Sequence, residues 1–535
     1  MSNIVPGILF TYFAIAIVLA VPVSLVLLAW YRRAVRDNMR ARSAAAGAAP
    51  LPVHGAGATS KSTPKPAAPG GTGVRVRLIS IYTLAAIAAS AVTTCLYFLS
   101  PGMEFSALRA FVMGYGFCWP LAPSLAALLA MPRRYSMLLA LAYYAAGAVI
   151  ILVWSAFSLV VLGRQDVSPV SNTVGYTVFL LTVATLPFAV IVVTGGRKVR
   201  PVTPLVMAGL LVFSFAALVL QAGFVALLDS AAMRNLLLPF HRAPVVWFML
   251  VALPVGYVCW AVLRGLGRRY ERKTFSDTQL LVDTWWLIAA FSSCVFLAND
   301  LQWRGLLGLF AFVAYRATVA AGLALRPLDH GVSAPRRLLL LRVFGYQRRT
   351  EKLFDAIGQR WRLEGSVNMI AGADLAGRTI DPGDIVSFAG GGLHDQFVQN
   401  GGDLQRRLDS LDETRDPDGR FRVNEFFCHD DTWRPTLEWL LLSSDAVLMD
   451  LRGFTRDNSG CLFELQKLVQ HHKLDRSLFV VDDKTDVDLL RGTLAEAARD
   501  AGAPVEPALH VQAATRQSGG ELRRILIELR ALAAA

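Results

Sequence analysis

The stretch GLLGLFAFVAYRATVAAGLALRPLDHGVSAPRRLLLLRVF, residues 305–344, changes solvent part-way. Up to Leu325 it is apolar apart from Arg316, and long enough to cross a bilayer core of about 30 Å as a helix. Past Asp329 the chain becomes polar and basic, and from Leu338 it starts a run of strand length. Two environments therefore meet near Asp329, and within about ten residues of that point the spacing predicts the first strand of a folded domain.

Working back from residue 305, further apolar runs follow one another. Those of spanning length are Ile4–Trp30, Leu78–Leu99, Ala107–Met131, Ser136–Leu162, Thr173–Thr194, Val202–Leu228, Val245–Leu263 and Leu280–Leu297, which with Gly305–Leu325 predict nine membrane helices in residues 1–329. The first run is too long for a cleaved leader and has its basic flank (Arg32, Arg33, Arg36, Arg40, Arg42) on the C-terminal side, which reads as a signal anchor. With the N-terminus outside, the inside loops hold 19 Lys and Arg and the outside loops 5. Because Lys and Arg gather in cytoplasmic loops, this count predicts a multi-pass protein of the bacterial plasma membrane with residues 330–535 in the cytoplasm. Ala44 to Gly73, rich in Ala, Gly and Pro, reads as a disordered cytoplasmic linker. Pro120, Pro187 and Pro254 interrupt three of the runs, as membrane helices tolerate.

The chain carries a net charge of +13, but residues 1–329 account for +17 and the remainder for −4. The basicity belongs to the apolar part, so a nucleic-acid partner is not expected; the expected partners are the bilayer, a second copy of the chain, or a nucleotide. Six cysteines form no CxxC or other zinc spacing, and no metal is expected. Asp283 and Arg316 are the ionisable residues that fall within spans, and read as an ion pair or as the lining of a polar cavity.

In residues 330–535, apolar strands alternate with helices. The strands expected are Leu338–Phe344, Ser366–Ala371, Arg422–Cys428, Ala446–Leu451, Leu478–Val481 and Ala508–Val511. The helices expected are Gln347–Arg362, Thr432–Leu442, Ser459–His472, Val487–Arg499 and Gly520–Leu532, with partial helix in Ile385–Leu411. This alternation predicts an α/β domain with a parallel sheet covered on both faces. Ligands of such sheets bind beyond the carboxyl ends of the strands, which selects the loops after Phe344, Cys428, Leu451 and Val481.

Of these, DLRGFTRDNSGC, residues 450–461, carries the most chemistry. It leaves a strand and enters a helix capped by Asn458 or Ser459, with Glu464 one turn inside. A helix N-terminus offers N–H groups to an anion, and a carboxylate beside it suits cationic character developing at a ribose. Asp450 is a candidate to orient a hydroxyl, or to hold Arg452 or Arg456. Arg342, Arg348 and Arg349 are candidates for phosphate or lipid contact.

The run from Glu425 to Asp431, then Trp433 to Ser443, then Ser444 to Asp450, then SGCLFEL at 459–465, resembles the middle of a Toll/interleukin-1 receptor (TIR) domain. That family passes from strand to helix to strand, then through a serine-containing turn into a helix with a Trp-Cys-x-x-Glu-Leu motif. Cys461, Glu464 and Leu465 match it, Gly460 stands in place of the Trp, and Gly372 to Arg420 is extra. The resemblance implies a TIR/flavodoxin-like fold. It also implies a nucleotide-facing set of Asp430, Arg452, Asn458, Ser459 and Cys461. In members that cleave NAD the helix glutamate is catalytic, which assigns that role to Glu464 with Asp450 beside it and makes NAD the candidate substrate. The whole chain is similar to bacterial multi-pass proteins with a TIR-like tail. The expectations are thus a membrane-anchored signalling or regulatory module, an NAD or nucleotide N-glycosidase, or a transporter or sensor regulated by its tail.

Overall fold

The computed structural model describes residues 4–40, 71–131, 133–161, 168–178, 202–228, 244–325, 336–343, 347–371, 382–429, 431–502, 509–514 and 518–534. These divide into two compact units, one within Met1–Leu28, Thr72–Leu328 and Asp381–Val386, the other within Ala29–Gly71, Asp329–Ile380 and Ser387–Ala535.

The first unit is helical. Its helices are α1 (Ile4–Arg40, which runs on into the second unit), α2 (Gly71–Phe98), α3 (Ala107–Phe117), α4 (Leu121–Leu128), α5 (Arg133–Val160), α6 (Thr203–Leu228), α7 (Pro244–Glu271), α8 (Asp277–Leu301) and α9 (Phe310–Leu325). Among the described residues, five stretches are long and apolar enough to cross a membrane, and six if α3 and α4, bent by 40° at their break, count as one span. Of the expected Thr173–Thr194 span only the first residues are described, helical at 169–178. The expected linker overlaps α2, which already begins at Gly71; the rest of it, Ala44 to residue 70, lies outside the described residues. Pro120 does break its run, whereas Pro254 sits inside an unbroken α7, and Pro187 lies outside the described residues. Many apolar side chains of this unit face outward, among them Val18 (68% exposed), Leu141 (65%) and Val160 (79%). That much apolar surface is unfavourable in water.

α8 and α9 form a hairpin. Ser276 starts α8 with a capping box: its hydroxyl accepts from Gln279 N (3.0 Å) and Gln279 Oε1 accepts from Ser276 N (2.9 Å). The helix stops at Gln302, whose φ of 53° is left-handed, and a 3-10 turn at Gln302–Leu309 reverses the chain. The return is very close, because a Cβ on Gly305 would lie 2.7 Å from Ala298 N and Cα. Further along, Arg316 Nη1 donates to Asp283 Oδ2 (2.7 Å), Tyr315 Oη donates to Oδ1 (3.1 Å), and Trp286 stacks on Tyr315. The two ionisable residues of the spans thus form a pair, of which Arg316 retains 34% side-chain exposure.

The second unit is a seven-stranded sheet in which every pairing is parallel. Its strands are β1 (Arg336–Arg342), β2 (Gly365–Ala371), β3 (Phe397–Val398), β4 (Val423–Cys428), β5 (Ala446–Asp450), β6 (Ser477–Val481) and β7 (His510–Ala513), in the order β3-β4-β2-β1-β5-β6-β7. Helices α10 (Gln347–Trp361), α11 (Pro382–Ala389), α12 (Gly401–Asp409), α13 (Trp433–Ser443), α14 (Ser459–Gln470), α15 (Val487–Asp500) and α16 (Gly519–Leu532) fall between or after them. The alternation of a strand sorts β1 cleanly. Leu339 and Leu341 pack into one core with α13, α14 and α15, while Leu338 and Leu340 pack into another with α10 and α16. Each of these leucines is at most 5% exposed, a burial worth about 2 kcal/mol per side chain. Both faces are covered, as the continuous apolar strands require.

The expected strands and helices stand within about two residues of these positions, but the sheet has one more strand. β3, from the extra segment, adds to the outer edge of β4. Its two residues carry no readable period.

Candidate functional site

The chain moves outward from β1 to β2 and beyond, then returns to place β5 on the other side of β1. The reversal between β1 and β5 is where doubly wound sheets open a crevice at the carboxyl edge. Arg342 and Asp450, the last residues of these two strands, are register partners there, and Val343 N donates to Asp450 O (3.0 Å).

β5 ends in a loop whose first residues turn inward. Arg452 Nε and Nη2 donate to Asp450 Oδ1 and Oδ2, each at 2.7 Å, and both side chains are only 1% exposed. Of the two partners expected for Asp450, Arg452 is therefore the one it holds; Arg456 is exposed. Leu451 and Phe454 are fully buried in the core beside them. Gly453 lies between with φ of 70°, a conformation that suits glycine, and gives its N–H to Asp482 Oδ1 (2.9 Å). Thr485 Oγ1 donates to Leu451 O (2.9 Å), and Asp486 N donates to Phe454 O (3.0 Å). The loops after β5 and β6 are thus stitched into one layer. Asp482 does more than end its strand.

Asn458 stands at the N-cap of α14, but its side chain does not cap the helix. Asn458 Oδ1 accepts instead from Thr455 N (2.8 Å), closing the preceding turn. Ser459 is exposed as the first helical residue. Cys461 is buried and donates its thiol to Arg342 O (3.5 Å), so the sulfur ties the helix to the end of β1.

Glu464 is 4% exposed, and its Oε2 has no hydrogen-bond partner among the described residues. Burial pushes its carboxyl up to about 8, against the opposing pull of the Arg342 guanidinium. At neutral pH it is mainly the protonated acid. Arg342 is itself 4% exposed, which removes it from the surface contact with phosphate or lipid expected of it. The side chains of Arg348 and Arg349, and the whole of Asp430, lie outside the described residues.

The structure therefore brings Arg342, Asp450, Arg452, Cys461 and Glu464 to one edge of the sheet as buried groups, and leaves Asn458 and Ser459 on the outer turn. Sequence reasoning missed the approach of Arg342 to Glu464. The signal available was the charge of Arg342 at the end of an otherwise apolar strand. Among the described residues no three His, Cys, Asp or Glu side chains cluster as a metal site.

No protein-family model, curated protein or solved structure matches the chain.

Proposed function

We propose that the protein is a multi-pass membrane protein whose cytoplasmic TIR-like domain signals or regulates by contact rather than by turnover. The membrane part of this reading is supported by the apolar helices and their outward apolar side chains, and its sidedness by the Lys and Arg count. The TIR-like part is supported by a parallel sheet in which β5, β6 and β7 follow outward from β1, although β4, the first strand of the resemblance, lies outside β2 rather than beside β1. It is also supported by the entry of β5, through a serine-bearing turn, into a helix holding Cys461, Glu464 and Leu465.

One observation carries the choice of contact over catalysis: the two candidate acids at the β1/β5 reversal, Asp450 and Glu464, are both buried among the protein's own side chains. The Asp450 carboxylate is saturated by Arg452, Phe454 closes over the core, and Glu464 is buried. An acid that acts on a ribose must reach it, and an Asp that orients a hydroxyl needs a free oxygen. A second reading, NAD N-glycosidase, is favoured by the unpartnered Oε2 of Glu464 alone. Asp283, held by Arg316 and Tyr315, gives the transporter reading no support.

The test uses the full chain in lipid nanodiscs, incubated with NAD alongside Glu464→Ala. The proposal expects both to release nicotinamide at the rate of empty discs. Release by the wild type that disappears in Glu464→Ala would replace it with the glycosidase.

A further inference from the structure

α7 carries a graded stripe along one face. Leu253, Tyr257, Trp260, Arg264 and Arg268 recur at helical spacing on one side of the cylinder, Arg272 continues that side in the turn just past the helix end, and all six are exposed. Leu253 is 67% exposed, Tyr257 69% and Trp260 53%. The order along the axis is aliphatic, then two amphipathic rings, then three guanidiniums. From Leu253 to Arg264 the rise is about 16 Å, roughly half of a bilayer core.

The elements of this stripe touch. The Tyr257 and Trp260 rings lie 6.3 Å apart, and the Arg264 guanidinium sits 5.0 Å from the Trp260 ring centroid. A cation held on an indole face keeps its N–H groups pointing outward along the ring plane, where they can bind a planar or tetrahedral anion. Arg268 and Arg272 follow one turn apart. Glu271 shares this side of the helix, so the stripe holds three positive charges and one negative. None of the three guanidiniums has an ion-pair partner among the described residues.

We infer that this face binds an anionic phospholipid, with the headgroup phosphate between Arg264 and Arg268 and the glycerol and upper acyl chain against Trp260 and Tyr257. The inference rests on the membrane reading above. The gradient fits a lipid better than a free anion, because a free anion has no use for the exposed rings and Leu253 below the cationic turn. It also fits a lipid better than a soluble acidic partner, because the rings are the residue types that settle at the headgroup level.

The experiment is native mass spectrometry of the full chain in mild detergent, with phosphatidylglycerol or phosphatidylcholine added. We expect phosphatidylglycerol to be retained preferentially. In Arg264→Gln/Arg268→Gln/Arg272→Gln that preference should fall about 100-fold, since each guanidinium contributes about a five-fold factor near an anionic surface. Trp260→Ala should weaken retention less, with the charge dependence kept. Equal retention of the two lipids by the wild type would overturn the inference, as would an unchanged preference in the triple variant, whose exposed substitutions leave the fold intact. Displacement of the lipid by an excess of inorganic phosphate would show a free-anion site instead, and also overturn it. Alkaline carbonate washing of the source membranes separates the two readings. A chain that stays in the membrane but shows no lipid preference refutes only the lipid site, whereas a chain that washes off refutes the membrane reading itself.

Discussion

Asp283 in the helical unit is partly buried, its side chain 13% exposed, whereas Glu464 at the edge of the sheet is buried, and the two carboxylates differ further in what surrounds them. Asp283 has both oxygens engaged, one by Arg316 and one by Tyr315, across the α8–α9 hairpin. Glu464 keeps Oε2 without a hydrogen bond, and burial holds it protonated up to about pH 8. Asp450, in the same crevice as Glu464, behaves like Asp283, because Arg452 takes both its oxygens. An ionised buried carboxylate needs a partner for each oxygen; one without them is stable only as the acid. Engagement, rather than burial, separates the clamps from the group that can still respond.

The sharpest way to break this contrast is to remove a clamp. Arg452→Ala leaves Asp450 buried and unpaired, and should destabilise the sheet unit by about 3–5 kcal/mol, read by chemical denaturation of the purified chain. An Asp450→Asn/Arg452→Met double variant should recover most of that loss, because it removes both charges. A single loss below about 1 kcal/mol would mean that the crevice is wet.

The hairpin offers a milder version. Asp283→Ala should cost about 2–3 kcal/mol, less than the sheet pair, since Arg316 is about one-third exposed and can turn to water. Its readout is the fraction folded during detergent-induced unfolding, and Asp283→Asn should lose less by keeping the bond to Tyr315. At the smallest scale, Gly453→Ala tests the stitching of the two loops. Its φ of 70° predicts a loss of about 1 kcal/mol, since a Cβ disfavours that conformation.

Much of the sheet was legible because its strands are continuous apolar runs with sharp ends. Ala446–Asp450 stops on an Asp, and the helix from Ser459 carries Leu465, Leu468 and Val469 at helical spacing on its buried side. β3 was not legible, because two residues, Phe397–Val398, give no period and the glycine clusters around them hide the edges of α11 and α12. The site was legible as a place but not as a state. The sequence pattern selects the loop after β5, yet the pairing of Asp450 with Arg452 competes with Arg456 on equal terms until the fold buries one and exposes the other. Arg342 lies more than a hundred residues before Glu464, and only the strand order sets β1 beside β5. Asp482 was not legible as a stitch between loops, because its partner, Gly453 N, comes from another loop 29 residues away. Asp283 with Arg316 was legible as a pair because charges are scarce in apolar runs.

Closure of the crevice around Glu464 is measured most directly by the pH dependence of the protein's stability. A carboxyl whose folded-state pKa is raised to about 8, from an unfolded value of 4.5, favours the folded state at low pH. That contribution is complete below pH 4.5 and is lost as pH rises through 8. The measurement is the unfolding midpoint of wild type and Glu464→Gln across pH 5 to pH 9. At about 1.4 kcal/mol for each tenfold change in proton affinity, the wild type should lose on the order of 4 kcal/mol relative to the variant over that range. Two curves that stay parallel from pH 5 to pH 9 would place Glu464 in water and contradict the closed crevice.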